Sequence, residues 1–403
     1  MKLSLSWIKD FVNIPEDMDM KQLAYDLTMD TVEVEDVEYL ADRFDHMVVG
    51  VIEDIEPHPN ADKLRVCKVD IGDGEIKDIV CGGINLEKGM RVAVSCPGAI
   101  VRWHGEGEPV EIKKSKLRGV ASYGMICASD EIGLGDLFPA SQEAEILDLS
   151  AFDVPAGTTL ADALDLNDVL LEIDNKSMTN RPDLWGHYGI AREIAALYNL
   201  PLAEIKPFDT DVQSDFNVEI ADPDRCPRYI GVEMSGVNVK EAPYQMQNRI
   251  WKVGMRPINA LVDITNYVML ATGNPTHAFD ADNISDHIVV RHAAENEKLL
   301  LLNDKELSLC TDDLVITDSE GPVALAGVMG GAKDSILPKT ERVILEVANF
   351  EAAGIRRTAL RYDNRTEASS RYEKAIDPER CDQALALSMQ YFKELYPEMK
   401  VTG

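Results

Sequence analysis

The 403-residue chain is strongly acidic: it has 71 aspartate and glutamate residues against 40 lysines and arginines, and its formal net charge at pH 7 is −31. This balance argues against non-specific DNA binding, which needs positive charge against phosphates, so any nucleic-acid contact requires a local basic patch. Hydrophobic residues make up 45% of the chain, enough for about two to four folded domains, and no apolar run is long enough to cross a membrane.

The seven cysteines are odd in number and form no CxxC pair. That pattern is typical of reduced thiols in a cytoplasm, and it indicates neither a disulfide framework nor a zinc site. The N-terminal segment also lacks the long apolar region and cleavage site of a signal peptide. We therefore expect a cytoplasmic protein that makes no contact with membranes or DNA.

Residues 1–40 predict a small N-terminal α/β element. A first helix presents an apolar face, a second helix covers Met20 to Met29, and alternating valines and glutamates then predict a strand. The apolar face consists of Trp7, Ile8, Phe11 and Val12. An element this short needs other parts of the chain to complete a core.

Residues 41–150 predict a small β-barrel of the OB type, because short alternating strands are separated by Gly and Pro turns at intervals of about ten residues. Near the end of the barrel lies a basic run with Tyr123 close by; its members are Lys113, Lys114, Lys116 and Arg118. A basic barrel edge can bind single strands or tRNA. A charged edge strand can equally serve only to prevent aggregation, and the spacing does not decide between the two.

Residues 151–203 predict one strand, over Val169–Ile173, and one helix, from Gly186 to Tyr198, for which Asp183 is the expected N-cap. The following residues, 201–215, are rich in proline and aspartate and are typical of a linker.

A larger mixed α/β domain is predicted over residues 204–403. Within it, Leu261, Ile264 and Val268 recur three and four residues apart, which predicts an amphipathic helix. The helix ends at a Gly-Asn-Pro turn, after which His277 can face a pocket. The alternative is that Asp263 and Asn266 only cap neighbouring backbone and that His277 is a satisfied core histidine.

Three glycines, Gly327, Gly330 and Gly331, end the segment LVITDSEGPVALAGVMGG. Glycines allow backbone to approach a ligand closely, but they also mark bulges and bends in a sheet. Their spacing does not match GxGxxG, and the chain contains no HExxH, P-loop, EF-hand or GxSxG motif.

Four stretches, in this order, together resemble the β subunit of bacterial phenylalanyl-tRNA synthetase. HPNADKLRVCKVDIG, IVCGGIN and KKSKLRGVASYGMICASDEIGL resemble its tRNA-binding OB domain, and NRPDLWGHYGIAREIAALYNLP resembles the segment that returns from it. RPINALVDITNYVML with PTHAFD, and then GVMGG, ILEVANF and RTEASSRYEKAIDP, resemble its editing module. The resemblance implies an α+β multidomain protein in which residues 151–203 pack with residues 1–40 and residues 204–403 form the editing domain.

The resemblance further implies a portion of phenylalanine–tRNA ligase that binds tRNA(Phe) and hydrolyses mischarged Tyr-tRNA(Phe). The family's β chain continues well beyond Gly403, so we expect an N-terminal portion or a short relative. Aminoacylation in the family takes place on the α subunit, the partner in a heterotetramer, and needs ATP and Mg²⁺, whereas we expect no cofactor or metal in this portion. The alternative is a non-catalytic tRNA-binding scaffold.

Residue by residue, the resemblance gives Glu346 the role of recognising the tyrosine hydroxyl and places His277 in the same pocket, and these two are the catalytic candidates. A carboxylate suits that role because it accepts the phenol's hydrogen bond, while phenylalanine leaves it unsatisfied. Water is the expected nucleophile, with His277 as general base or as an orienting group. Ser370 stands where some family members carry histidine. The substrate-binding candidates are Arg256, Thr265, Asn266, Gly331, Thr366 and Ala368, and the tRNA-binding candidates are the four residues of the basic run.

Overall fold

The computed structural model describes residues 1–208, 216–333 and 335–403. The chain forms two compact units: Met1–Val37 together with Leu171–Gly403, and Glu38–Leu170. Part of the linker predicted over residues 201–215 lies outside the described residues. Across the described ranges, no helix is both long and apolar enough to span a bilayer.

The chain begins with a short α/β element of the first unit, consisting of β1 (Lys2–Ser4), α1 (Leu5–Ile8), α2 (Met20–Asp30) and β2 (Val34–Tyr39). The hydroxyl of Ser4 caps α1 by accepting from the Trp7 N–H, and the Asp19 carboxylate caps α2 in the same way. Helix α1 is shorter than the apolar spacing predicted, because Phe11 and Val12 lie beyond its end.

The second unit is built on a five-stranded antiparallel sheet, whose strands are, in order, β11 (Met125–Ile126), β6 (Arg91–Ser95), β3 (Met47–Pro57), β4 (Arg65–Asp70) and β5 (Ile76–Cys81). The sheet nearly closes into a barrel, because Val80 in β5 donates to the Ser122 hydroxyl at 3.0 Å and Tyr123 donates to the Asp78 carbonyl at 2.8 Å. The other elements are β7 (Ile100–Val101), β8 (Val110–Glu111), β9 (Ser115–Leu117), β10 (Val120–Ser122) and α3 (Leu160–Ala163).

Two elements then continue the first unit: β12 (Val169–Ile173), which lies between β1 and β2 in a three-stranded sheet, and α4 (His187–Tyr198). The prediction that Asp183 caps α4 is wrong. The N-cap residue is Gly186, without a side-chain cap, and Asp183 instead forms ion pairs with Arg181 at 2.8 Å and with Arg192. Charge-assisted bonds to two guanidinium groups are stronger than a cap to neutral N–H groups, so the arginines take the carboxylate.

The remaining elements of the first unit are β13 (Val218–Ile220), β14 (Arg228–Ser235), α5 (Tyr244–Lys252), α6 (Ala260–Thr272), β15 (Thr276–Asp280), β16 (Ile288–His292), β17 (Lys298–Leu300), β18 (Glu306–Ser308), β19 (Leu314–Thr317), β20 (Pro322–Leu325), β21 (Met329–Gly330), β22 (Arg342–Asn349), α7 (Ala352–Arg361), α8 (Glu367–Tyr372), α9 (Arg380–Leu395) and β23 (Lys400–Val401). Among the described residues, these elements form a four-stranded sheet with the order β15-β22-β14-β23, a five-stranded second sheet with the order β13-β16-β19-β20-β21, the two-stranded sheet β17-β18, and five helices. The predicted α+β multidomain class is confirmed.

Strand β22 separates two apolar cores. Leu345 and Val347 belong to the core formed with α6 and α9, whereas Ile344 and Ala348 belong to the core formed with the second sheet. Because side chains alternate along a strand, Glu346 projects with Ile344 and Ala348 toward the second sheet. The alternation of β22 therefore places one carboxyl group between two sheets.

The N-terminal element packs against the helix that leads to the predicted site. The indole of Trp7 is fully buried and stacks on His187 and Tyr267, with ring centroids 4.0 and 4.1 Å apart. His187 donates from Nδ1 to the Leu270 carbonyl at 2.8 Å and accepts at Nε2 from the Ser4 N–H at 3.1 Å. These contacts hold β1, α4 and the end of α6 together.

Candidate functional site

The start of α6 is fixed by side chains that serve the backbone. Asn259 is the N-cap, and its carbonyl oxygen accepts from the N–H groups of Leu261 and Val262, both at 3.1 Å. The Asp263 carboxylate accepts from the Ile258 N–H at 2.8 Å, and burial raises the pKa of this carboxyl to about 6. Asp263 thus stabilises the start of α6, which agrees with the alternative in which it only caps neighbouring backbone.

Strand β15 begins shortly after α6 and pairs with β22 in antiparallel register, so that His277 lies directly opposite Glu346. Side chains in such a pair lie on the same face with their Cβ atoms about 5 Å apart. From the other side, Tyr229 in β14 donates its hydroxyl proton to Glu346 Oε2 at 3.0 Å. His277 and Glu346 therefore form one row across two adjacent strands, and Tyr229, which pairs with Ala348, reaches Glu346 on the diagonal of the same sheet face.

This row borders a pocket of about 390 Å³, including its mouth, that lies between the two sheets. His277 and Glu346 contribute its main ionisable groups, and Tyr372 closes one side with its hydroxyl near the carbonyl oxygens of Pro275 and Ala348. The rest of the wall is mainly apolar and includes Ile316, Leu325, Val328, Met329 and Ala368. A small aromatic side chain suits such a lining.

Burial shifts both ionisable groups of the pocket toward their neutral forms. Glu346 is only 5% exposed, and burial raises the pKa of its carboxyl to about 7, against the opposing effect of the hydrogen bond from Tyr229. Burial lowers the pKa of the His277 imidazole to about 4. In the part of the chain that the structure describes, neither imidazole nitrogen has a hydrogen-bond partner. At neutral pH the pocket therefore presents a neutral histidine and a carboxyl group near its midpoint.

Two glycines make room for this arrangement. A Cβ atom at Gly330 would lie 2.7 Å from Nε2 of His277, closer than side chains can approach. Gly327 has a φ of +66°, and a Cβ there would lie 2.9 Å from both Phe350 and Ile355. Gly331, a substrate-binding candidate, does not line the pocket: its N–H donates to the Val323 carbonyl at 2.8 Å, and a Cβ would meet that same oxygen at 2.4 Å.

Of the two other candidates at α8, Ala368 lies at the pocket and Thr366 lines a separate groove together with Ser370. Thr366 is the N-cap of α8 in a capping box with Ser369, and its hydroxyl lies 2.8 Å from the Val328 carbonyl, so Thr366 supports the wall without forming it. The groove that Thr366 and Ser370 share has a volume of about 1040 Å³ and lies beside Trp185.

The three candidates around α6 lie outside the lining. The Thr265 hydroxyl donates to the Val262 carbonyl at 2.7 Å, and the Thr265 carbonyl accepts at 3.2 Å from Thr276, which does line the pocket. Asn266 is half-buried on the helix, and Arg256 is exposed just before it. The structure thus brings together His277, Glu346 and Ala368, and places Thr265 and Thr366 behind the wall.

Sequence reasoning did not identify Tyr229 or Met329 as site residues, and it left open whether Gly330 faces a ligand or marks a bend in a sheet. No sequence signal shows that β14 is the neighbour of β22 or that Tyr229 reaches Glu346. Gly330 and Gly331 are adjacent, and only the strand geometry shows that the first opens the pocket.

The basic run of the second unit lies on and beside the hairpin of β9 and β10, and all four cations are exposed. Lys113 pairs with Glu111 at 3.1 Å, and the Lys114 ammonium lies 5.0 Å from the centre of the Tyr123 ring. Among the described residues, Lys116 and Arg118 form no ion pair. These two are therefore the cations best placed to meet an external anion.

Hydrogen bonds from residues 58–60 of the barrel anchor the hairpin of β9 and β10. The Asn60 N–H donates to Nδ1 of His58 at 3.0 Å, so His58 carries its proton on Nε2, which donates to the Leu117 carbonyl at 3.1 Å. The Asn60 side-chain amide donates to the Arg118 carbonyl at 3.0 Å. Both carbonyls at the start of the hairpin turn are therefore anchored.

The described residues contain no group of three or more His, Cys, Asp or Glu side chains that could hold a metal ion.

Two domain families match the chain. One matched range includes the basic hairpin and the other includes the pocket. A putative tRNA binding domain matches residues 47–158, which include the basic hairpin, and a B3/4 domain matches residues 225–397, which include the pocket. The phenylalanine–tRNA ligase beta subunit of Oceanobacillus iheyensis is 41% identical over 391 residues, which are 95% of this chain and 47% of that protein. The subunit of the same name from Pectobacterium atrosepticum is 41% identical over 382 residues, 94% of this chain and 46% of that protein.

The similarity extends over nearly the whole chain, and each of the two domain matches lies within a different unit of the structure. The chain spans about half the length of the curated relatives that it matches. It belongs to the family of the phenylalanine–tRNA ligase beta subunit.

Proposed function

We propose that the pocket between the two sheets binds the aminoacyl end of mischarged Tyr-tRNA(Phe) and that this part of the ligase hydrolyses its ester. The observation that carries this proposal is Glu346, a carboxyl group that is 5% exposed and lies in a largely apolar pocket. The apolar walls suit an aromatic ring, and the carboxyl group suits the hydroxyl of tyrosine.

The selectivity of such a site follows from the chemistry of the carboxyl group. A pocket shaped for phenylalanine rejects tyrosine by only about 10²-fold, because it cannot strongly exclude an added hydroxyl. A second site that hydrogen-bonds the hydroxyl rejects phenylalanine far better, by up to about 10⁴-fold, because a buried acceptor is otherwise left unsatisfied. Glu346 supplies that acceptor in this pocket.

Water is the nucleophile in this proposal, since no serine or cysteine is among the pocket residues that the structure describes, and the hydroxyl of Thr276 donates to the Thr265 carbonyl. Water attacks the ester carbonyl, the bond to the terminal ribose oxygen breaks, and the products are tyrosine and a tRNA whose ribose oxygen takes the proton. His277 is neutral above about pH 4 and can orient or deprotonate the water. Because its basicity is low, positioning contributes more than proton abstraction.

The exposed cations supply contacts for the tRNA backbone. Lys116 and Arg118 on the barrel hairpin, and Arg256 near the start of α6, are free of ion pairs within the described ranges and can neutralise phosphates. We further propose that tRNA(Phe) is the nucleic acid bound and that an α subunit, which carries out aminoacylation, is the partner of the complete enzyme.

The test is deacylation of purified Tyr-tRNA(Phe) and Phe-tRNA(Phe) by the chain and by two variants. We expect the parent to hydrolyse the tyrosyl ester preferentially, and Glu346→Ala to reduce that preference by about 10²-fold. His277→Ala should slow hydrolysis of both esters. His287→Ala, in the same unit but away from the pocket, serves as the control.

The alternative is a tRNA-binding scaffold without turnover. It predicts that tRNA is retained but that neither ester is hydrolysed by the parent, and that result would reject the proposed hydrolase activity of this chain.

A further inference from the structure

The Glu346 carboxyl group is already engaged by the protein's own phenol. Tyr229 donates to Oε2 at 3.0 Å, and its ring packs against the core between the two sheets. Because Tyr229 pairs with Ala348 across the strands, it reaches Glu346 on the diagonal of the same sheet face. The donor therefore comes from the side of Glu346 opposite His277.

A carboxylate can accept several hydrogen bonds, because its two oxygens offer about four acceptor positions. Tyr229 uses one of them, and positions remain on the pocket side. A tyrosine substrate would bring a second phenol to the same carboxylate. The two donors do not have to compete, because they approach from different strands and different directions.

We propose that Tyr229 is a specificity-determining residue of this pocket, which holds the Glu346 carboxylate so that it can accept a further hydrogen bond from a phenolic substrate. This inference rests on the proposed function and concerns the same site. Tyr229 acts through Glu346 and is thus a positioning residue, not a catalytic one.

The energetic reason is that burial and Tyr229 act on Glu346 in opposite directions. Burial raises the pKa of the carboxyl group, and the Tyr229 hydrogen bond lowers it. Without this bond, a larger share of the carboxyl groups is protonated at neutral pH. A phenol then meets a neutral acceptor, and such hydrogen bonds are about half as strong as those to a carboxylate.

The matched pair of variants is Tyr229→Phe and Tyr362→Phe. Each keeps its aromatic ring and loses one hydroxyl that donates to a carboxylate; Tyr362 donates to Asp313 at 2.5 Å, outside the pocket. Rates of hydrolysis of Tyr-tRNA(Phe) and Phe-tRNA(Phe) are measured from pH 6 to pH 9 for both variants and the parent.

We expect Tyr229→Phe to lower the tyrosine preference about tenfold at pH 7.5, mainly through a higher KM for the tyrosyl ester. The preference should recover as the pH rises, because the midpoint of its pH dependence moves upward. Tyr362→Phe should keep the parental profile. An unchanged midpoint in Tyr229→Phe, or an equal loss for both esters at every pH, would overturn the inference.

Binding of p-cresol and toluene, measured by calorimetry, separates this inference from the proposed function. If the parent hydrolyses neither ester but prefers p-cresol over toluene, and Tyr229→Phe loses that preference, the hydrolase proposal fails and this inference stands. If the parent hydrolyses Tyr-tRNA(Phe) and Tyr229→Phe keeps the parental preference over the whole pH range, only this inference fails.

Discussion

The pocket of the first unit and the hairpin of the second differ in whether their ionisable side chains are buried or exposed to solvent. In the pocket, burial shifts the pKa values of Glu346 and His277 so that their neutral forms are favoured. In our proposal, a single hydrogen bond to Glu346 distinguishes one substrate from another. On the hairpin, Lys116 and Arg118 are exposed to solvent. A buried site of this kind discriminates between similar groups, whereas an exposed cationic one gives affinity that depends on salt.

The contrast between the buried pocket and the exposed hairpin would fail most clearly if ionisation of the Glu346 carboxyl group did not lower the free energy of unfolding. The pKa of Glu346 rises from 4.5 to about 7 on folding, so the free energy of unfolding falls as the pH rises between these values. We expect Glu346→Gln to be more stable than the parent by about 3 kcal/mol at pH 8 and nearly equal to it at pH 4.5. Urea unfolding at the two pH values measures the difference.

The lowered pKa of His277 acts in the opposite sense between about pH 4 and 6.5, but it is present in both proteins and cancels in the comparison. Glu306→Gln, the same substitution at an exposed carboxylate, is the control. A stability difference for Glu346→Gln that is the same at both pH values would contradict the burial argument.

The next largest effect concerns the space beside His277. In Gly330→Ala the new Cβ would lie 2.7 Å from the imidazole, so the ring must move. We expect deacylation of Tyr-tRNA(Phe) to fall about 10²-fold, since a shift of about 1 Å at a reacting group has an effect of that size. Gly82→Ala, where a Cβ meets its nearest neighbour at 3.4 Å, should leave the rate unchanged. Equal rates in the two variants would show that the imidazole position is not critical.

Substitutions on the exposed hairpin should change how tRNA affinity depends on salt concentration, and they should not change the preference for one ester over the other. We expect the double variant Lys116→Ala/Arg118→Ala to bind tRNA about tenfold more weakly, with the slope of log affinity against log salt reduced by about two. Titrations at several salt concentrations test this. Lys113→Ala removes a cation that already pairs with Glu111 and should have a smaller effect. A double variant with an unchanged salt slope would exclude the hairpin as a phosphate contact.

The smallest expected effect comes from the anchor beneath the hairpin. His58→Ala removes the donor to the Leu117 carbonyl and the acceptor of the Asn60 N–H, so the hairpin should open more often. We expect faster hydrogen exchange at Gly119 and Val120 and tRNA binding about threefold weaker. Faster exchange with undiminished tRNA binding would mean that hairpin order does not matter for the complex.

Local features of the fold could be predicted from sequence because they depend on nearby residues. The spacing of Leu261, Ile264 and Val268 predicts an amphipathic helix, and all three residues lie in α6. Asp183 was misjudged because Arg192, which competes for its carboxylate, lies nine residues away on the next helix.

The candidate site was less predictable, because it depends on which strands become neighbours. The resemblance named Glu346 and His277, and the structure places them opposite each other. Tyr229 lies more than a hundred positions from Glu346 in sequence, so only the pairing of β14 with β22 brings the two together. The roles of all the candidate residues stay predictions until the variants are measured.

The alternation along β22 has a consequence for how the chain tolerates changes in length. Alternate side chains of this strand belong to the two different apolar cores. One extra residue ahead of Glu346 would therefore move each side chain to the opposite face of the sheet. A carboxyl group would then enter the helix-side core and an aliphatic side chain would enter the pocket. Natural variation in β22 should therefore consist of replacements, while insertions and deletions gather in the loops at its ends.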